Sequence, residues 1–207
     1  MKLVFRGILK DAHQLPKNYV PEGATMIFLP KQEYKLICNI YLWMIPAAIL
    51  VASVVIFSFI IHGVQNIALV SDASTRGFVF WVISIFLHEI IHALCLYESD
   101  DVQIYIVPDM LSVIALGSSP ISKGYYIFML LLPNILLGFL PLLLWFTLAF
   151  WNIQSDTLLV FSSLAILSGC GDYYNAYNAI KQMPKGSMYI NSGADSYWYV
   201  QKPKLGK

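Results

Sequence analysis

The feature that most constrains this chain is the apolar run from residue 77 to residue 96, GFVFWVISIFLHEIIHALCL. A helix of about 20 apolar residues is long enough to cross the roughly 30 Å hydrocarbon core of a bilayer. Three residues of the run, His88, Glu89 and His92, are ionisable. Ionisable side chains are costly in such a helix and usually face a polar cavity or a partner within the protein. The run therefore predicts a membrane-spanning helix that carries a functional polar cluster.

The polar cluster has the spacing H-E-x-x-H. With about 100° of rotation per residue, His88 and His92 lie about 40° apart and one turn along the helix, so both imidazoles can reach one metal ion. Glu89 flanks this pair at about 60° from His92, which is where a general base for a metal-bound water has to lie. The alternative is a metal-free cluster in which the three side chains satisfy one another or nearby backbone carbonyls.

Composition places the whole chain among membrane proteins. Of its 207 residues, 58% are hydrophobic and only 12% are charged, and the formal net charge is +1. Such an apolar excess is outside the range of soluble globular domains. No basic patch with interleaved aromatic residues stands out, so we expect no nucleic-acid partner. The three cysteines are odd in number and lack C-x-x-C spacing, which argues against a disulfide framework.

The hydropathy pattern predicts an all-α membrane protein of about four transmembrane helices, with a short β-hairpin after the second. The predicted spans are residues 36–62, 77–96, 124–151 and a fourth from about Thr157 to 180. Between the second and third spans, Val102 to Leu116 contains two β-prone runs separated by a Pro-Asp pair, which predicts the hairpin. The hairpin edge could pair with an extended peptide, and an amphipathic surface loop is the alternative.

The predicted spans divide the chain into a cytoplasmic N-terminal segment at residues 1–35, a four-helix transmembrane domain at 36–180 and a cytoplasmic tail at 181–207. Lysine and arginine are concentrated in the two terminal segments and are rare in the links at 63–76 and 152–156. Because positive residues accumulate on the cytoplasmic side of a membrane, both termini are expected in the cytoplasm. We therefore expect a multi-pass integral membrane protein.

Asp172 lies in the predicted fourth span, behind the small residues Ser168-Gly169-Cys170-Gly171. A carboxylate in a membrane helix needs a cation, and a metal held by His88 and His92 is the natural one. Two histidines and one aspartate leave a fourth position open for water, as catalytic zinc sites require, although iron or cobalt could occupy the same set. The alternative places Asp172 at a water-exposed helix end, beside an interfacial cluster of tyrosines.

Two amides complete the candidate site. Asn134 follows Pro133 in the middle of the third span. It either binds substrate or a developing oxyanion, or it forms an interhelical hydrogen bond. Asn175 comes three residues after Asp172, on the same side of a helix to within about 60°. We expect it to hydrogen-bond the site from outside the set of metal ligands.

Three segments together carry a family resemblance: His88-Glu89-x-x-His92 in one span, Pro133-Asn134 in the next and Gly171-Asp172 in the last. The pattern resembles the family called "Putative zincin peptidase", bacterial membrane proteins of unassigned function. It is more distantly similar to the site-2 proteases, which are intramembrane metalloproteases. The resemblance covers about residues 35 to 180. In site-2 proteases an aspartate from a later span, in a Leu-Asp-Gly context, is the third zinc ligand, which implies this role for Asp172 in its Cys-Gly-Asp-Tyr context.

The resemblance implies a zinc metallopeptidase of the bacterial cell membrane that hydrolyses peptide bonds near or within the bilayer. Glu89 is then the catalytic residue, which takes a proton from water and passes it to the leaving amine. The expected partners are the membrane and a membrane-associated protein or peptide substrate.

Two other functions stay open from the sequence. One is a non-catalytic metal-binding membrane module that binds a partner protein, with a fourth ligand such as Glu98 or Asp109 closing the site, because catalysis needs an open position. The other is a metalloenzyme that acts on a lipid, which would have a lipid-sized cavity open to the bilayer.

Overall fold

A computed structural model describes residues 2–27, 67–97, 99, 101–108, 112–151, 153 and 155–201, with short pieces between 44 and 56. It divides into two compact units. We call Met1–Glu33, Glu89–Leu130 and Asn175–Lys207 the strand unit, and Tyr34–His88 and Leu131–Tyr174 the helical unit. The division falls within continuous helices, so residues on either side of it still keep ordinary helical spacing.

The described helices are α1 (Ile67–Cys95), α2 (Lys123–Asn134), α3 (Leu140–Phe150), α4 (Asp156–Ser168) and α5 (Cys170–Gln182). A π-helical segment, Ile135–Phe139, joins α2 to α3, and a 3-10 turn spans Ala12–Gln14. The strands are β1 (Lys2–Ile8), β2 (Thr25–Met26), β3 (Asp101–Val107), β4 (Ser112–Gly117), β5 (Ile121–Ser122), β6 (Ser187–Ser192) and β7 (Asp195–Val200).

Two sheets organise the strand unit. The first has the order β1-β3-β4, in which β1 runs parallel to β3 while β3 and β4 form an antiparallel hairpin. The second has the order β2-β7-β6-β5, with antiparallel pairing throughout. Residues Tyr105 and Val107 alternate along β3 and, with Leu116 of β4 and Leu15, form a buried apolar cluster. Val102 and Ile104, on the other face of β3, are buried as well, so both faces of this strand are covered.

Helix α1 shows the reverse of the polarity expected for a soluble helix. Its inward stripe is small or polar: Gly77 and Ser84 are buried, and Trp81 and His88 are half-buried. The Trp81 indole N–H donates to the Ser168 hydroxyl at 3.3 Å, which ties this stripe to α4. The large apolar residues of α1 face outward instead, with 38% to 56% of each exposed: Phe78, Val79, Phe80, Val82, Ile83, Ile85, Phe86, Leu87, Ile90 and Leu94.

Glycines let the helices of the helical unit approach at backbone distance. A Cβ atom added to Gly77 would lie 2.7 Å from the Cβ of Val160, and one added to Gly138 would lie 2.8 Å from Cγ1 of Ile166. Close contacts between small residues are the usual way in which membrane helices associate, because lipid provides no hydrophobic drive between them. Around Ile166, a buried apolar cluster joins α3 and α4 through Leu142, Trp145, Leu159 and Ile166.

The long helical stretch from α2 to α3 is interrupted by prolines. Pro133 lies inside α2, and Pro141 is at the start of α3. Proline removes a backbone donor and crowds the preceding turn, so the regular i to i−4 ladder cannot continue through it. The chain responds with a π turn, in which the Leu140 N–H bonds to the Ile135 carbonyl five residues back. Such turns change the direction in which neighbouring side chains point.

The prediction of an all-α protein with about four transmembrane helices is wrong. Seven described strands form two sheets. Among the described residues, only Asp72–Cys95 and Lys123–Phe150 are long and apolar enough to cross a membrane. The predicted fourth span is divided after Ser168 into two 13-residue helices, α4 and α5. The predicted first span, 36–62, lies mostly outside the described residues.

These errors have a physical cause. Hydropathy averaged over about 20 residues does not detect a helix break at Gly169, because both flanking segments are helical and only the backbone path changes. The terminal strands β1, β6 and β7 are short and mix polar with apolar residues, so they contribute little to an apolar average. By contrast, the hairpin predicted within Val102 to Leu116 is confirmed by the pairing of β3 with β4.

Tyr189 connects the second sheet to the start of α2. Its ring stacks on Tyr126 with centroids 3.6 Å apart and an interplanar angle of 11°. Its hydroxyl lies 3.2 Å from the Ser196 hydroxyl. Burial raises the pKa of the Tyr189 phenol above its ordinary value, and this effect outweighs the hydrogen bonds, which lower it.

We predict that Tyr189→Phe reduces the loss of stability at alkaline pH. The folded-state pKa of Tyr189 lies above the unfolded value of about 10. The stability contributed by its neutral form is therefore complete below about pH 10 and is lost as the pH rises through the folded value. Thermal unfolding in detergent from about pH 8 to about pH 11 measures this slope. Tyr19→Phe, at a residue 80% exposed, is the matched control, and equal slopes in wild type and Tyr189→Phe would contradict the prediction.

Candidate metal centre

His88 and His92 lie one turn apart in the last third of α1. His88 belongs to the inward stripe of the helix with Trp81 and Ser84, and its side chain is 17% exposed. His92 is 9% exposed. Since the helix is uninterrupted from Ile67 to Cys95, both imidazoles lie on one face, as the spacing of the motif predicts.

Asp172 reaches the same region from the first turn of α5. One of its carboxylate oxygens, Oδ2, lies 2.9 Å from Nε2 of His88, and the side chain is 15% exposed. When the Asp172 carboxylate is ionised it can only accept hydrogen bonds, and the donor in this contact is then the N–H of His88. The first turn of a helix also favours a negative charge, because its free N–H groups point toward the N-terminus.

Asn134 holds the same carboxylate oxygen from the opposite element. Its side-chain Nδ2 donates to Oδ2 of Asp172 at 2.9 Å, and the residue is 1% exposed. Asn134 is the last residue of α2, immediately before the π turn. Of the two roles left open for Asn134, the hydrogen bond between helices is the one that the structure displays.

Gly169 provides the space for the Asn134 amide. A Cβ atom added to Gly169 would lie 1.7 Å from Oδ1 of Asn134 and 2.4 Å from its Cγ. Any larger residue must therefore displace the amide or the helix end. Sequence reasoning noted only that small residues precede Asp172 and permit close helix packing. The particular partner of Gly169 depends on a residue 35 positions earlier in the chain and has no local signal.

The ligand atoms of His88, His92 and Asp172 all lie within 4.8 Å of one another. Two ligands about 2.1 Å from a tetrahedral zinc ion are about 3.4 Å apart, so small side-chain movements would bring all three atoms around one ion. Two imidazoles and one carboxylate are a donor set that zinc accepts. Metal binding would exchange the His88–Asp172 hydrogen bond for two bonds to the ion, because a ligating nitrogen must be deprotonated.

The remaining predicted site residues flank this group. Glu89 follows His88 in α1 and is half-buried, and Asn175 follows Asp172 by three residues in α5 and is also half-buried. Both therefore lie within one helical turn of a proposed ligand, and their roles stay predictions. Glu98 and Asp109, considered as a fourth ligand, lie outside the described residues.

The chain belongs to the family described as "Putative zincin peptidase", whose model matches residues 81–188, slightly more than half of its length. The matched segment includes every residue of the candidate centre. Searches of curated proteins and of solved structures find no match to the chain. The family description implies zinc, and His88, His92 and Asp172 lie close enough together to form a possible metal site.

We predict that detergent-purified protein binds about one zinc ion per chain. His88→Ala and Asp172→Ala should each lose most of this zinc, because two remaining ligands hold the ion too weakly. Elemental analysis of washed protein measures the content. His13→Ala, at an exposed histidine in the Ala12–Gln14 turn, is the matched control. If folded wild-type protein binds no zinc after zinc is added, the prediction is wrong and the three side chains form a buried polar cluster without a metal.

We predict that Gly169→Ala weakens zinc binding through Asn134. The added methyl group must push the Asn134 amide away from Asp172, and loss of a partner that orients a ligand typically costs about 10- to 100-fold in metal affinity. Asn134→Ala should cost a similar factor. The double variant Gly169→Ala/Asn134→Ala should be no worse than Asn134→Ala alone, because the clash is then absent.

Competition with a chromogenic chelator measures these affinities, and thermal unfolding without metal checks the fold of each variant. Gly171→Ala is the matched control, since a Cβ atom at that position meets nothing within 4 Å. Wild-type affinity in Gly169→Ala, or additive losses in the double variant, would contradict the contact.

Proposed function

We propose that this protein is a membrane-embedded zinc metallopeptidase that hydrolyses peptide bonds of a membrane-associated protein or peptide. The observation that carries the proposal is the meeting of His88 and Asp172 at 2.9 Å, although 84 positions separate them in the chain. Together with His92 they provide three ligands and leave a fourth position for water or substrate, as a catalytic zinc site needs. Membership of the zincin family supports the same reaction class.

The outward face of α1 supports a location in the bilayer. Soluble monomers rarely expose a continuous apolar surface of more than a few hundred Å². Along Asp72–Cys95 only 17% of the most apolar window is buried, and along Lys123–Phe150 only 33%. A core helix of a soluble protein would be mostly buried. Both helices are long enough to span, so we propose a multi-pass protein of the bacterial cell membrane with cytoplasmic termini.

Zinc bound at this centre would lower the pKa of a coordinated water far below its ordinary value and polarise the peptide carbonyl. His88, His92 and Asp172 would hold the ion. Asn134 would keep the Asp172 carboxylate in place through the bond that it makes already. Asn175, one turn beyond Asp172, would hydrogen-bond the site or the substrate backbone.

Glu89 would act as the general base and acid. It follows His88 directly on the continuous helix α1, so it flanks the two imidazoles at the side from which water approaches. Its carboxylate would take a proton from the attacking water and return that proton to the leaving amine nitrogen, so that the peptide bond breaks without a net change of charge on the enzyme.

A cavity in the helical unit favours a second candidate, a metalloenzyme that acts on a lipid. The cavity has a volume of about 410 Å³ and lies between α1, α4 and the π turn. Its lining is almost entirely apolar and includes Phe80, Ile83, Leu87, Leu137 and Phe161. A space of this size and character accepts part of an acyl chain as well as an apolar side chain of a peptide.

We predict that Glu89→Gln keeps zinc and loses hydrolysis by about 100- to 10,000-fold, which is the usual contribution of a general base. The measurement compares new N-termini in the membrane proteome of bacteria that express wild type or Glu89→Gln, with zinc content determined on the same proteins. Glu22→Gln, at an exposed carboxylate in the N-terminal segment, is the control. Cleavage at the wild-type rate by Glu89→Gln would contradict the assignment of Glu89 as the general base. Lipid products that depend on Glu89, without new N-termini, would favour the metalloenzyme that acts on a lipid.

A further inference from the structure

Strand β1 carries the most exposed apolar side chains of the strand unit's first sheet. Leu3 is 43% exposed, Phe5 is 63% exposed and Ile8 is 67% exposed. We call these three residues the apolar strip. Among the described strands, β1 is an outer strand of its sheet, with β3 as its neighbour. Long apolar outer strands invite association, and proteins usually protect them.

A β-bulge aligns the apolar strip on one face of the sheet. Leu3 pairs with Val102, Phe5 with Ile104 and Ile8 with Ile106, and the register shifts between Phe5 and Gly7. Residues 102, 104 and 106 of β3 share one face, because side chains alternate along a strand. Their partners on β1 therefore share that face as well. In a regular strand, a residue three positions after Phe5 would point to the opposite face.

Gly7 makes this alignment possible. Its φ of 98° lies in the left-handed region, which residues with a Cβ atom rarely adopt. The bulge also leaves Arg6 outside the regular pairing. Three apolar side chains therefore project from one face of the sheet, and a cation, Arg6, lies between the second and third in sequence.

The charged side chains of residues 2–10 have one sign, although the exposed Asp101 lies opposite Lys2 on β3. Lys2, Arg6 and Lys10 are all exposed, and residues 2–10 contain no acidic side chain. The next acid, Asp11, accepts a hydrogen bond from the backbone N–H of His13. Apolar side chains that enter the headgroup region, flanked by basic residues that contact anionic lipid headgroups, are the combination found on interfacial membrane-binding elements.

We infer that the apolar strip docks on an anionic bilayer surface, with Leu3, Phe5 and Ile8 inserted at headgroup depth and Arg6 and Lys10 paired with lipid phosphates. A second copy of the chain fits less well, because pairing two β1 strands would bring together four cations, Lys2 and Arg6 of each copy. The inference rests on the proposed membrane location and is independent of the metal centre and of hydrolysis.

Photocrosslinking in nanodiscs tests this docking. p-Benzoylphenylalanine is placed at position 5, at position 19 and at position 86, one position in each sample. Tyr19 is 80% exposed and lies outside the strands, while Phe86 is 56% exposed on the outward face of α1. After irradiation, mass spectrometry counts lipid adducts in phosphatidylglycerol and in phosphatidylcholine nanodiscs.

We expect lipid adducts at position 86 in both lipids and few adducts at position 19. At position 5 we expect at least about fivefold more adducts in phosphatidylglycerol than in phosphatidylcholine. The variant Arg6→Glu/Lys10→Glu should remove the lipid preference at position 5, and hydrogen exchange of residues 187–200 should confirm that its second sheet is intact. Adducts at position 86 without adducts at position 5 would overturn the docking alone. Crosslinks from position 5 to a second chain would overturn it in favour of self-association. Absence of lipid adducts at position 86 would instead refute the membrane location.

Discussion

The structure depends on how one carboxylate is held. Asp172 is only 15% exposed, and a carboxylate withdrawn from water is stable only among donors or cations. His88 and Asn134 both approach the same oxygen at 2.9 Å, so side chains of α1, α2 and α5 meet at a single atom. Gly169 makes this possible because it leaves room for the Asn134 amide. The polar contact is thus also the point that orders three helices, and the proposed metal ligand is part of the framework of the fold.

The reversed polarity of α1 supports the proposed location of the protein in a bilayer. Small and polar residues face inward along the helix, and bulky apolar residues face outward. In water this arrangement would expose apolar surface at a large cost, whereas in lipid the outward face is at no disadvantage and the inward polar groups become the basis of association. The close approaches of neighbouring helices at Gly77 and Gly138 are also the kind of packing by which helices associate in lipid. The prolines and the π turn are tolerated because neighbouring helices pack against the interrupted segment.

The candidate centre was more predictable than the fold. His88, Glu89 and His92 are related by helical spacing alone, and Asp172 was identified because a carboxylate in an apolar sequence requires a cation, so both inferences used local information. The fold could not be predicted in the same way, because it depends on pairings between residues that are far apart in the sequence. The pairing of β1 with β3 joins Leu3 to Val102, and nothing near residue 3 indicates this partner. Likewise, Gly169 interrupts the predicted fourth span without changing its apolar character, so that only the backbone geometry distinguishes two short helices from one long helix.

The distance in sequence between His88 and Asp172 also has a consequence for biosynthesis. They are 84 positions apart, and a ribosome adding about 5 to 20 residues per second needs roughly 4 to 17 s to cover that interval. Throughout it, the ionisable residues of α1 exist in a nascent chain that does not yet contain the carboxylate. The set of His88, His92 and Asp172 cannot form until α5 has been synthesised. If these residues hold zinc as proposed, the complete centre could bind the ion only after that point.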